Sequence, residues 1–225
     1  MQGIIETAFD AIYLVTVTVL GILMLRNHRG RRQYLLSGIM AVTLGAGDAF
    51  HLVPRAYALL TDGLANHTAA LGIGKFITSI TMTLFYLLLY HVWRARYHVQ
   101  GRHRETIALY ALAALRIGLC LFPQNAWTSA APPLNWGIYR NIPFAGMGVM
   151  VILLFYYSAR AHNDRPFRHM WLTIVLSFAF YIPVVLFGDS VPLVGILMIP
   201  KTMAYVWTVL ICYLAMRKDN KEIQP

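Results

Sequence analysis

Seven apolar runs of near-span length recur along the chain, at residues 4–25, 34–55, 71–93, 106–122, 137–157, 170–188 and 193–216. One hydrocarbon thickness takes about 20 helical residues. A backbone in lipid must also satisfy its own hydrogen bonds, which leaves helices or closed barrels. The runs are continuous and lack the alternating short strands of a barrel. The expected fold is therefore all-α, a polytopic bundle of seven transmembrane helices. Composition agrees: the 225 residues are 58% hydrophobic and 12% charged, whereas soluble domains carry about 25% charged residues. The polar segments between runs are short, so residues 1–225 are expected to form a single seven-helix domain. The first run opens MQGIIETAFD, with Glu6 and Asp10 and no cation before Arg26. A signal peptide wants a basic start, so this run is expected to stay as the first helix.

The basic residues give an orientation. Four lie between the first two runs (Arg26, Arg29, Arg31, Arg32) and four between the third and fourth (Arg94, Arg96, Arg102, Arg104). Three more follow the fifth run (Arg160, Arg165, Arg168) and three close the chain (Arg217, Lys218, Lys221). With seven spans all fourteen fall on one side, and the segments near 61–70, 123–136 and 189–192 contain no Lys or Arg. Positive-inside bias then places the N-terminus outside and the C-terminus in the cytoplasm of a plasma-membrane protein. The formal charge of +10 is thereby assigned to topology and to anionic lipid heads. No nucleic-acid partner is expected.

Five cations remain: Arg55, Lys75, Arg116, Arg140 and Lys201. Counting from the inner end of each run, Arg116 falls at ~15 Å, Lys201 at ~23 Å, Arg140 at ~26 Å, Lys75 at ~27 Å and Arg55 at ~32 Å. The acids fall at similar heights, with Asp48 at ~21 Å, Asp10 at ~23 Å, and Glu6 and Asp189 at ~29 Å. A charge at a helix centre is disfavoured by about 2.5–3.5 kcal/mol, so these groups must face one another or water. Within GDAFHLVPRAY, the residues Asp48, His51 and Arg55 are spaced i, i+3, i+7 on one helical face. Lys75, Thr78, Ser79 and Met82 form a second stripe, and Lys201, Tyr205, Thr208 and Cys212 a third. Asp10, Arg140, Arg55 and Asp189 are the expected structural ion pairs, with Asp10 level with Arg140. Read without a ligand, the whole set is a network of ion pairs tying helix ends together.

Short matches hint at an internal repeat. GIGKF at Lys75 parallels MIPKT at Lys201, Gly47-Asp48 parallels Gly188-Asp189, and FDAIY parallels YRNIP. They suggest a 3+1+3 arrangement of the kind that places a site between two halves. The seven-span plan is similar to that of the sugar-transporting and Pro-Gln-loop families, but Pro123-Gln124 lies in a loop rather than in the first or fifth helix. FYIPVVLFGD followed by a lysine in the last run resembles microbial rhodopsins. Lys201 lies nearer the outer face than a retinal lysine, and Leu197 stands where an acid would be. Haem would want opposed histidines, whereas His51 and His91 sit at opposite depths. A zinc hydrolase wants several converging ligands, and His51 is the one histidine at depth in the outer half. No retinal, haem, zinc or other metal is expected.

The function expected is an outward-facing polar, cationic cavity that binds a small anionic solute or lipid head group, with transport as the further step. Lys75, Arg116, Arg140 and Lys201 would hold the anion, beside Tyr205. Asp48 and His51 would tune the site or carry a proton, since histidine titrates near neutrality. The first alternative is an enzyme acting on a membrane lipid, with Asp48 and His51 as candidate catalytic groups. The second is a seven-helix receptor or sensor. Its output would pass through a partner membrane protein or a second copy, because the tail RKDNKEIQP offers no signalling domain.

Overall fold

The computed structural model describes residues 2–188 and 190–222. Among the described residues there are seven α-helices: α1 (Gln2–Asn27), α2 (Arg32–Leu60), α3 (Thr68–Arg96), α4 (His103–Leu121), α5 (Leu134–Ala161), α6 (Met170–Phe187) and α7 (Met198–Lys221). Short 3-10 turns at Leu64–His67, Pro123–Asn125 and Pro192–Leu197 join them on one end of the bundle. No strand occurs among the described residues. Six helices are long and apolar enough to cross a membrane, and α4 is not among them. Its 19 residues include Arg104, Glu105 and Arg116. The protein is thus a helical membrane protein by its apolar helices. Most helices overrun the expected spans at both ends, as α2 does with 29 residues, or about 43 Å at 1.5 Å per residue.

Successive helices pack side by side, and α1 returns against α7, which closes the ring. α3 also reaches α5, and α7 reaches α2. Tyr86, Tyr90, Phe85, Phe155 and Phe167 fill the interior, while Ile12, Val15, Ile107 and Tyr157 face outward. That inside-out apolar surface suits lipid as solvent, where apolar side chains have nothing to gain by hiding. α7 begins at Met198, later than position 193, because residues 192–197 wind as a 3-10 turn. Pro200 then falls in the first turn of α7, where its missing N–H is harmless. Pro54, Pro143 and Pro183 lie inside α2, α5 and α6.

Pro54 explains how α2 and α3 come so close. Proline has no N–H for the carbonyl four residues back, which here is Phe50. Gly74 of α3 packs against that freed carbonyl. A Cβ at Gly74 would run into the Phe50 oxygen and stand 2.7 Å from the His51 Cα. The hydrogens on a glycine Cα let the two backbones touch and give the freed oxygen a weak C–H donor. Further along, Thr78 donates to the Gly47 carbonyl at 3.1 Å. The stretch GDAFHLVP is therefore seated on α3 backbone to backbone.

The four basic clusters gather at one end of the bundle, around Asp219 of α7. Tyr34 donates to its carboxylate at 2.5 Å, Arg31 pairs with it at 3.0 Å and Arg96 at 3.3 Å. Arg96 also grips Asp164 with two parallel bonds of 2.9 and 3.0 Å. Arg29 donates to the Asn220 carbonyl, and Asn220 to that of Asn27. The end of α7 is thus clasped to the α1–α2, α3–α4 and α5–α6 connections. Asp219→Ala strands three donors at once. It is expected to lower stability by about 1–3 kcal/mol, read as a drop in melting temperature in mild detergent. An unchanged melting temperature would mean the clasp carries no net stability. At the other end, the hydrogen bond from His67 holds the exposed Asp62 carboxyl below the ordinary carboxylate range.

Candidate functional site

A chain of polar and aromatic groups crosses the interior, and each of the seven helices contributes to it. Tyr13 of α1 donates to Asp48 of α2 at 2.5 Å. The lysine whose charge acts on Asp48 is Lys201 of α7. The two do not close to an ion pair. Lys201 instead places its ammonium 4.4 Å from the ring centre of Tyr181 on α6 and 5.6 Å from that of Tyr205. Tyr205 is buried edge-on against Phe85 of α3. Tyr86 lies one position further on, with its hydroxyl 3.4 Å from Ser177 of α6.

Arg116 ends the chain from α4. It is 2% exposed, and its guanidinium carbon sits 3.3 Å from the ring centre of Phe144 on α5. Its Nε and Nη1 make no hydrogen bond. Its electrostatic neighbours are Tyr181, Cys120, Tyr205 and Tyr86, none of them a carboxylate. Stacking on Phe144 satisfies the face of the guanidinium and leaves Nε and Nη1 on its edge wanting an acceptor, with the Cys120 thiol as its hydrogen-bonding neighbour. Buried charges are ordinarily paired and hydrogen-bonded, and this edge departs from that rule.

The structure sorts the site residues expected from sequence into separate places. Lys201, Tyr205, Asp48 and Arg116 belong to the interior chain. Thr208 and Cys212 continue the α7 stripe and are buried, with Thr208 donating to Thr173 at 2.8 Å. His51 lies nearer the end opposite the basic clusters, within electrostatic reach of Lys75, Arg55 and Lys201. Its Nδ1 is buried without a hydrogen bond. Lys75 itself is on the exposed side of α3, away from the chain of tyrosines. Arg55 pairs with Glu6 at 3.0 Å.

Arg140 has a different partner from the one its depth suggested. It donates to Asn125 at 2.9 Å and lies over the Trp127 ring at 4.3 Å. Asp10 faces Arg55, Glu6 and Asp48 instead. The reason is the α4–α5 connection, which folds back over the bundle. Asn125 is fully buried there and donates to the Leu119 and Phe122 carbonyls. Arg140 is thus taken up in pinning that connection. Asp189, the other expected ion-pair member, lies outside the described residues.

The sequence reading missed Tyr13, Tyr86, Tyr181, Phe144 and Ser177. One signal was present for Tyr13: it follows Glu6 and Asp10 at the i+7 and i+3 positions that share a helix face. The others are aromatic or small residues in apolar runs and read as ordinary core. Among the described residues, no group of three or more His, Cys, Asp or Glu side chains is arranged to hold a metal ion. No known protein family, characterised protein or solved structure matches the chain.

Proposed function

We propose that this membrane protein binds a small anion, a free solute or the head group of a lipid, in the interior between Arg116 and Lys201, and carries it across. The observation that supports this reading is the Arg116 edge. A guanidinium buried among four aromatic rings and a thiol, with two donors unused, has the geometry of an acceptor site for carboxylate or phosphate oxygens. Lys201 supplies a second positive charge on the neighbouring wall. Tyr86, Tyr181 and Tyr205 offer hydroxyls between them. Asp48, held by Tyr13, is the internal counter-charge whose field reaches Lys201.

In this reading the fourteen-cation end faces the cytoplasm of a plasma-membrane protein and the N-terminus lies outside, following positive-inside bias. The anion enters from the outer end, past His51 and Asp48. The 3+1+3 repeat would place the site between α1–α3 and α5–α7, with α4 supplying Arg116 from outside the two halves. Pro54, Pro143 and Pro183 supply bends in α2, α5 and α6 where such a bundle would flex.

The test is mass spectrometry of what co-purifies in mild detergent, beside Lys201→Ala. A specific anion or lipid carried by the wild type is expected to fall by about tenfold or more, the loss of one charged hydrogen bond. Identical, nonspecific lipid in both preparations would remove the pocket and leave the polar chain as an internal support.

A further inference from the structure

A second basic site lies at the other end of the molecule. The start of α2, the last turn of α3 and the turn that follows it enclose a cavity of about 630 Å³, lined by Arg31, Arg32, Arg94, Arg96, His98 and Asp219 among others. Pockets for small ligands run about 300–1,000 Å³. Four guanidinium groups here face one carboxylate. They are not equally committed. Arg31 and Arg96 share Asp219. Arg94 turns toward Thr106 and the carbonyls of Val99 and Gly101. Arg32 makes no hydrogen bond or ion pair with any described residue, although it lines the cavity.

A second space of about 310 Å³ shares Arg32, Arg94, Ala95 and Val99 and extends to His91 on α3. His91 contacts Tyr110 of α4 at 2.8 Å, and Tyr110 is among the exposed, outward side chains. The hollow therefore runs from a cluster of arginines at the helix ends down the side of α3 to the apolar surface. A free anion would need only the upper part. A molecule with a charged head and an apolar continuation fills both.

We propose that this hollow binds a phosphate group presented by an anionic phospholipid, with Arg32 donating to the phosphate oxygens, Arg94 adding its charge beside it, and the glycerol and upper chain lying along α3 toward His91 and Tyr110. Arginine suits this task because its planar fork matches two phosphate oxygens at once. Basic pockets at the ends of membrane helices lie at the height of the head groups, where this pairing works without drawing a lipid out of its layer. The site is independent of the interior chain around Arg116 and goes beyond the function proposed for it.

The probe is phosphatidylglycerol. Wild type, Arg32→Gln and Arg168→Gln would be placed in phosphatidylcholine nanodiscs with and without phosphatidylglycerol, and retained lipid counted by native mass spectrometry. Arg32→Gln breaks no hydrogen bond or ion pair among the described residues, so it should fold as the wild type does. Arg168→Gln removes the same charge from the same end, away from the hollow. Wild type and Arg168→Gln are expected to retain phosphatidylglycerol, and Arg32→Gln to lose it about tenfold. Equal retention in Arg32→Gln and Arg168→Gln overturns the site. So does retention of phosphatidylcholine as strong as that of phosphatidylglycerol. Inorganic phosphate added to pure phosphatidylcholine discs separates the source. Stabilisation that needs Arg32 would keep the phosphate site and reassign it to a soluble anion. Stabilisation that ignores Arg32 counts against it. Lys201→Ala leaves all of these readings unchanged, so failure here and failure of the interior site are distinct results.

Discussion

Arg116→Met is expected to leave the empty protein as stable as the wild type or slightly more so, while anion retention falls sharply. Stability kept while retention is lost is what makes the variant decisive. Methionine fills a similar volume beside Phe144 and needs no acceptor. Replacing buried ionic groups by apolar ones of like size is often stabilising by about 1–4 kcal/mol. The lost contact between the guanidinium and the Phe144 ring takes back up to about 2 kcal/mol. The sum is a small gain or no change in melting temperature without ligand. Ligand retention, in contrast, should fall by at least about tenfold, because the charged donors are gone. A strong loss of stability would show that the guanidinium holds α4 to α5 for its own sake. The interior would then be a structural network and the anion reading would fail.

Gly74→Val is expected to have the largest effect on folding. The new Cβ meets backbone on α2, at the Phe50 oxygen and the His51 Cα, and not the end of a flexible side chain. Backbone has nowhere to yield unless α2 and α3 separate. Overpacking ordinarily costs about 1–3 kcal/mol and more where backbone must move. Against a total of about 5–15 kcal/mol, the yield of folded, monodisperse protein should collapse. Gly118→Ala is the control. Nothing lies within 4 Å of a Cβ there, and alanine is the better helix former by roughly 0.5–1 kcal/mol. Melting of the two variants side by side in detergent reads the difference. A Gly74→Val protein as stable as wild type would mean that α2 and α3 are not seated on one another as described.

The helices were legible because lipid imposes one rule on every span. Six of the seven expected runs lie within, or within one residue of, an observed helix, and the last starts five residues before α7. The interior of α7 was legible too, since Lys201, Tyr205, Thr208 and Cys212 keep helical spacing and all turn inward. Partnerships between helices were not. Depth placed Arg140 level with Asp10, but the fold-back of residues 122–128 put Asn125 and Trp127 within its reach first. Lys75 shares its helix face with Thr78 on paper, yet its side chain sits on the exposed side of α3. The clasp around Asp219 was invisible because a short charged tail has no period to read. Phe144 gave no sign of its role, for only the folded bundle lays its ring beneath a guanidinium.

The burial of Arg116 also bears on how the bundle is assembled. Six helices carry enough apolar length to enter a bilayer alone. α4, with three charged residues in its length, does not. It gains a tolerable environment once α3 and α5 flank it and the Phe144 ring covers the guanidinium. During synthesis α4 emerges before α5, so the arginine must wait for its shelf. In the seven-span reading proposed above, integration of the fourth helix is contingent on the fifth, and the order in which the spans leave the insertion machinery need not be the order in which they become permanent.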